Sequence, residues 1–125
     1  MNFTVHKLPR FLPMAGLTLG HHVFLRDVTD KLTLEHELVH VGQQTGHGFF
    51  ASAWWWIAYL LLLPLGWNPW RTRLEAEAYA VQARAGCPID GDDGLAAYLA
   101  GPAYGWCCSR TTAERLIHAF LAASP

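Results

Sequence analysis

The sequence predicts an α+β fold, mainly α, with short antiparallel β-strands near the N-terminus followed by a succession of helices. Three observations carry that prediction. Leu17 to Arg26 (LTLGHHVFLR) alternates loosely and holds β-branched and aromatic residues, the period of a pleated strand. From Leu32 the apolar residues switch to helical spacing, with Leu34, Leu38 and Val41 at i, i+4 and i+7. Beyond residue 48, apolar stretches are separated by Pro, Gly and Asp clusters of the kind that start and stop helices.

Taken in order, Leu17 to Arg26 reads as one or two short strands turning near Gly20 and His21. Asp27 to Asp30 is a polar connector. A helix follows from about Leu32 to Gln44, with Asp30 or Thr33 as N-cap and Gly46 near its end. Phe49 to Leu63 (FFASAWWWIAYLLLL) carries no charge and is read as an apolar helix ended by Pro64 and Gly66. Its 15 residues would span about 22 Å as a helix, against about 30 Å of hydrocarbon in a bilayer. A further helix is expected from Thr72 to Ala85, stopped by Gly86 and Pro88. Asp90 to Asp93 would cap a short helix over Gly94–Ala100, and Thr111 with Glu114 would form a capping box for a last helix through Ala122.

At 125 residues the chain is expected to form one domain, residues 1–125. It is unusually apolar, at 52% hydrophobic and 15% charged residues. A net charge of −1 and the lack of any lysine-rich run exclude an electrostatic nucleic-acid binder. The N-terminus, interrupted by Pro9 and Pro13, does not read as a signal peptide. Cys87, Cys107 and Cys108 are odd in number and lack CxxC spacing, so they do not suggest a disulfide framework; they read as small hydrophobes.

The chemistry is concentrated in His36-Glu37-Leu38-Val39-His40, an HExxH pattern. Residues i and i+4 share one helix face, so both imidazoles can reach one metal ion. Glu37 projects about 100° away, where a carboxylate can take the proton of a metal-bound water. With 7 His in the chain, such a pattern is expected by accident only about 0.015 times. A metal set up for hydrolysis needs a third protein ligand and an open position. Glu75 and Glu77 on the following helix are the two candidates, and at about 200° apart they cannot both face one metal.

HELVHVGQQ followed by LEAEAYA resembles the glutamate-zincin metallopeptidases, and especially their minimal bacterial members with glutamine after the HExxH motif. The resemblance covers roughly Leu19 to Gln82. It implies a minimal zincin-like domain with His36, His40 and Glu75 as zinc ligands and Glu37 as general base, cleaving a peptide or protein substrate. Four residues after the ligand glutamate the family usually carries Asp, whereas Tyr79 stands here. The second reading is a metal-binding structural or interaction module without turnover. The ligand set favours zinc over iron, cobalt or manganese.

The remaining polar candidates have blander readings. Tyr59, Tyr79 and Tyr104 are core aromatics that could each offer a phenol to an oxyanion. Gln43 and Gln44 are read as capping the end of the HExxH helix or reaching backbone groups, with support of the site as the alternative; His21, His22, His47 and His118 are read as loop or packing histidines, and Arg71 and Arg73 as surface charge, with a substrate carboxylate as their alternative partner. Because His40 precedes the apolar run and Glu75 follows it, a single membrane crossing would part the ligands. The run is therefore expected not to span. It would be buried, or would lie against a membrane surface or oligomer partner with Trp54–Trp56, Trp67 and Trp70 at the interface. The expected location is the cytoplasm, with membrane association left open.

Overall fold

Alternation at Leu17–Arg26 becomes a hairpin in the computed structural model of the chain, which describes residues 2–12, 14–45, 53–57 and 66–123. Strand β2 (Gly16–Leu19) pairs antiparallel with β3 (His22–Leu25), Thr18 opposite Val23 and Leu19 opposite His22. The two-residue turn places Gly20 at φ +60°, a left-handed conformation that glycine adopts without the steric cost of a Cβ. The sequence reading missed a third strand, β1 (Thr4–Lys7), which pairs parallel to β3, so β3 lies in the middle of a mixed sheet ordered β1-β3-β2. Four residues of mixed polarity give too little periodicity to mark a strand; the pairing to β3 makes it one.

The chain divides into two compact units, residues 1–55 and 56–125. In the first, helix α1 (Lys31–Thr45) lies across the sheet. Asp30 caps it, Oδ1 accepting the Thr33 amide at 3.1 Å, so of the two expected caps Asp30 is the one used. Val23 and Leu25 on β3 and Val41 on α1 are fully buried, with Leu34 and Leu38 packed against them. The other face of β3 carries His22 and Phe24; His6 stacks on Phe24 with ring centroids 4.9 Å apart and shares a 3.0 Å hydrogen bond with His22.

Only five residues of the expected apolar helix Phe49–Leu63 are described, of which 53–56 are helical; the rest of that run lies outside the described residues. Trp54 is exposed, Trp55 buried and Trp56 half-buried. Among the described residues, no helix is long and apolar enough to cross a membrane.

The second unit is built on helix α2 (Pro69–Arg84), which begins three residues before the expected Thr72. Asn68 is the cap, accepting the Arg71 amide at 3.0 Å, and Pro69 fills the first helical position, where its missing N–H costs nothing. Helix α3 (Leu95–Leu99) is capped differently from the aspartates expected. The carbonyls of Pro88 and Ile89 accept the Leu95 and Ala96 amides, at 2.9 and 3.1 Å, and no side chain caps Gly94. A Cβ on Gly94 would stand 2.3 Å from the Ile89 carbonyl oxygen, so backbone capping requires glycine there. A 3-10 turn (Pro102–Tyr104) precedes helix α4 (Arg110–Ala123). Its cap is Ser109, whose Oγ accepts the Thr112 amide at 3.1 Å, in place of the expected Thr111; Glu114 pairs with Arg110 instead of closing a capping box.

Helices α2, α3 and α4 enclose a core of Ala76, Tyr79, Ile89, Ala96, Leu99, Cys107, Ala113 and Ile117. All three cysteines are free thiols. Cys107 is the buried one, as its reading as a small hydrophobe implies, yet it is also polar in its contacts. Chiefly because the Cys108 thiol donates to its sulfur, the Cys107 thiol is held down to about 7 against its burial, with help from the Thr72 hydroxyl and the nearby Arg71. Donating that proton, together with burial, raises the Cys108 thiol.

Two outcomes follow for this unit. Leu99→Ala or Ile117→Ala should cost about 2–5 kcal/mol in chemical denaturation, since both side chains are fully enclosed. Ultraviolet thiolate absorbance should show one group titrating near pH 7 in the folded protein and none there in Cys108→Ala. The Cys107 value lies below the ordinary 9.0, so its contribution to stability is present at alkaline pH and lost as pH falls through about 7.

Candidate functional site

Helix α1 turns an unexpected face inward. Leu34 and Leu38 are only partly covered, and the fully buried positions are His36, Glu37, His40, Val41 and Gln44. Four of these five are polar, on a helix whose apolar periodicity would have rotated it toward the leucines. Burying polar groups is unfavourable unless each is bonded, so their partners define what this face is built around.

His36 and His40 stack edge to face, ring centroids 5.0 Å apart, as two imidazoles one helical turn apart on one face do. Gln43 decides the tautomer of His40. Its Oε1 accepts the Trp55 indole N–H at 3.2 Å, so the 2.9 Å contact between the same oxygen and His40 Nδ1 has the imidazole N–H donating. The lone pair of His40 is then on Nε2, the arrangement of a metal-binding histidine braced from behind. Sequence reasoning put a helix-end role for Gln43 first and support of the site second, and the Trp55 indole that fixes its orientation belongs to the apolar run.

Glu37 is 6% exposed and is pressed against the edge strand β2. Thr18 Oγ1 donates to Glu37 Oε2 at 2.6 Å and lies 3.1 Å from the Glu37 carbonyl oxygen. Two residues earlier, a Cβ on Gly16 would stand 2.8 Å from Glu37 Oε1 and 2.9 Å from Thr33 Cγ2. The carboxylate therefore occupies a slot made by the hydroxyl of Thr18 and the missing side chain of Gly16. Gln44 fastens the same strand from the next turn: its Oε1 accepts the Gly20 amide at 2.7 Å and its Nε2 donates to the Thr18 carbonyl at 3.1 Å. Gln44 reaches backbone groups, one of its expected roles, whereas Gly16 and Thr18 were not singled out in the sequence, because their role depends on a strand lying beside the helix.

On α2, Glu75 is 3% exposed and Glu77 is exposed, the half-turn separation their spacing predicts. Tyr79, one turn beyond Glu75, shares a 2.6 Å hydroxyl–hydroxyl bond with Tyr104, and both rings meet Tyr98 edge to face. Arg71 is not the surface charge expected: it is 4% exposed and its Nη1 donates to the Tyr104 carbonyl at 3.2 Å. Arg73 is exposed, its guanidinium 5.4 Å from the Phe120 ring centroid. Among the remaining histidines, His21 bonds the Asn2 carbonyl, His22 bonds His6, and His118 pairs with Asp90. Tyr59 and His47 lie outside the described residues.

No family model, curated protein or solved structure matches this chain. The reading of the site therefore rests on its residues.

Thr18→Val should destabilise the protein by about 1–3 kcal/mol, because it removes the donor to a buried carboxylate, and Thr18→Ser should restore most of that loss in thermal unfolding. Gly16→Ala should also destabilise, with Glu37 displaced from the strand.

Proposed function

We propose that the chain is a zinc-dependent peptidase in which His36, His40 and Glu75 hold the metal and Glu37 is the general base. The observation that carries this reading is the donor set: His36 and His40 meet edge to face on one side of α1, and α2 carries a buried carboxylate, Glu75, as the third donor. Two neutral imidazoles and a carboxylate are a common protein complement of a hydrolytic zinc, with a position left for water. The burial of Glu75 and exposure of Glu77 favour Glu75 for the third place. The likeness of HELVHVGQQ and LEAEAYA to the glutamate-zincins supports the same assignment.

When bound, zinc would supply an acidified water and a Lewis acid for a peptide carbonyl. The chain's own residues supply the rest. Glu37 takes the proton of the attacking water on Oε1, since Oε2 is engaged by Thr18, and passes it to the leaving amine. Thr18 and Gly16 limit the orientations open to that carboxylate, which conserves its aim through both transfers. Gln43 keeps the His40 imidazole N–H on Nδ1. Among the described residues β2 is an edge strand whose far end is bonded to Gln44, and an extended peptide can add at its Gly16 end, alongside Glu37. The substrate class is accordingly an unfolded or extended peptide segment.

Metal analysis and a broad peptide library test the reading together. The wild type should carry stoichiometric zinc and cleave peptides; His36→Ala should lose the metal; Glu37→Gln should keep the metal and the melting temperature and lose cleavage. Gln43→Ala should weaken zinc binding by about 10–100-fold in competition with a chelator. Zinc retention in His36→Ala would sink the ligand assignment. A zinc-loaded wild type that cleaves nothing would instead make the site structural.

A further inference from the structure

The second unit holds free thiols on neighbouring residues, and neither takes part in the proposed hydrolysis. Cys107 is fully buried and Cys108 is partly exposed. The Cys108 thiol donates to the Cys107 sulfur, so the sulfurs already face each other. Thr72 Oγ1 lies 3.3 Å from the Cys107 sulfur, and the Leu99 carbonyl oxygen lies 3.7 Å from it on another side.

Adjacent cysteines make a disulfide of a particular kind. Their Cα atoms are about 3.8 Å apart across a trans peptide, short of the roughly 4.4–6.8 Å that relaxed disulfides span. Such a bond is strained, and a strained disulfide is readily reduced again. The pair therefore suits reversible chemistry better than a permanent staple.

The fold also shows what closing that bond would move. A disulfide between residues 107 and 108 completes a small ring that contains the peptide group joining them. The carbonyl of that group accepts the Asn68 amide at 2.8 Å and the Thr72 hydroxyl at 3.2 Å. Asn68 is the N-cap of α2 and Thr72 stands one turn in, so this carbonyl fastens the start of the helix. Bringing the sulfurs from hydrogen-bond contact to bonding distance twists the peptide group and turns its carbonyl away from both donors. Directly before the pair, Gly105 and Trp106 are left-handed, at φ +67° and +56°. Trp106 holds that conformation at a steric cost, so the chain enters the pair through a strained turn in which a rotation has strain to release.

We propose that Cys107 and Cys108 are a redox modification site, closed to a vicinal disulfide by a low-molecular-weight disulfide RSSR and reopened by a thiol. Cys108, the accessible sulfur, attacks as its thiolate; it bonds to one sulfur of RSSR, and the other leaves as RSH with the proton that Cys108 gave up. Cys107 then attacks the Cys108 sulfur and loses its own proton to the second departing RSH. The protein gives up two hydrogen atoms and RSSR becomes two RSH, so atoms and electrons balance. Closure releases the Asn68 amide and loosens the first turn of α2, and reduction fastens it again. The site works in this way whether or not the chain binds a metal.

Glutathione disulfide is the probe, with intact mass and amide hydrogen exchange as readouts, in full-length Cys87→Ser so that the third thiol is silent. This protein should lose the mass of two hydrogens and regain it with dithiothreitol. In the oxidised form the amides of residues 68–72 should exchange at least about tenfold faster, and those of α4 as before. Adding Cys107→Ser should stop the reaction at a glutathionyl group on Cys108, whereas adding Cys108→Ser should prevent it, because Cys107 is buried. If Cys87→Ser does not fold, the oxidised wild type cleaved at Asp90 should carry the bridge in the fragment holding residues 107 and 108. Failure to react, glutathionylation that never closes, a bridge to Cys87, or closure with unchanged exchange at residues 68–72 would each overturn the proposal.

Discussion

The contact between Glu37 and strand β2 is the constraint on which the first unit depends. A carboxyl group at 6% exposure needs a local hydrogen-bond partner and room beside the strand; the Thr18 hydroxyl at 2.6 Å supplies the first and the missing side chain of Gly16 the second. That requirement decides which way α1 faces, because a rotation that buried Leu34 and Leu38 more deeply would withdraw Glu37 from Thr18. It also decides how close β2 can come to the helix, since any side chain at residue 16 would collide with the carboxylate. The apolar cluster of Val23, Leu25 and Val41 is small because much of the helix–sheet interface is given over to polar groups.

Much of this was legible in the sequence, and the parts that were not share a physical cause. The hairpin could be read because a period-2 pattern broken by glycine is a local signal, and the HExxH helix because capping and i, i+4 spacing are local too. The helix starts were displaced where two residues competed for the cap: Ser109 lies just upstream of Thr111, and Asn68 with Pro69 outranked Thr72. Strand β1 was invisible because a short parallel strand is defined by its partner. For the same reason no sequence argument could find Gly16 or Thr18, whose importance arises only from the strand beside the helix. Arg71 looked like surface charge because nothing in its neighbourhood announces the Tyr104 carbonyl, 33 positions away in the chain.

Both units cap helices with side chains, and the second adds backbone carbonyls. In the first, side chains do the work: Asp30 caps α1, and Gln44 and Thr18 join it to the sheet. In the second, Asn68 and Ser109 side chains cap α2 and α4, and backbone carbonyls add to them, with Pro88 and Ile89 capping α3 and Cys107 receiving both the Asn68 amide and the Thr72 hydroxyl. A segment stabilised through its own carbonyls is insensitive to side-chain identity but demands small residues where chains touch, as Gly94 illustrates. The composition of residues 94–105, rich in glycine and alanine, reflects that demand.

Gln44 has a consequence of another kind. One side-chain amide accepts from Gly20 and donates to Thr18, so it copies the donor–acceptor spacing of a neighbouring strand residue along the outer edge of β2. An exposed edge can slip by one residue against whatever adds to it, and such a slip would turn every side chain to the opposite face. With its far end already occupied by a group anchored on a helix, β2 has a fixed zero mark. Anything that extends the sheet from the Gly16 end must count its register from there, and the strand is shielded at its turn from indiscriminate pairing with other chains.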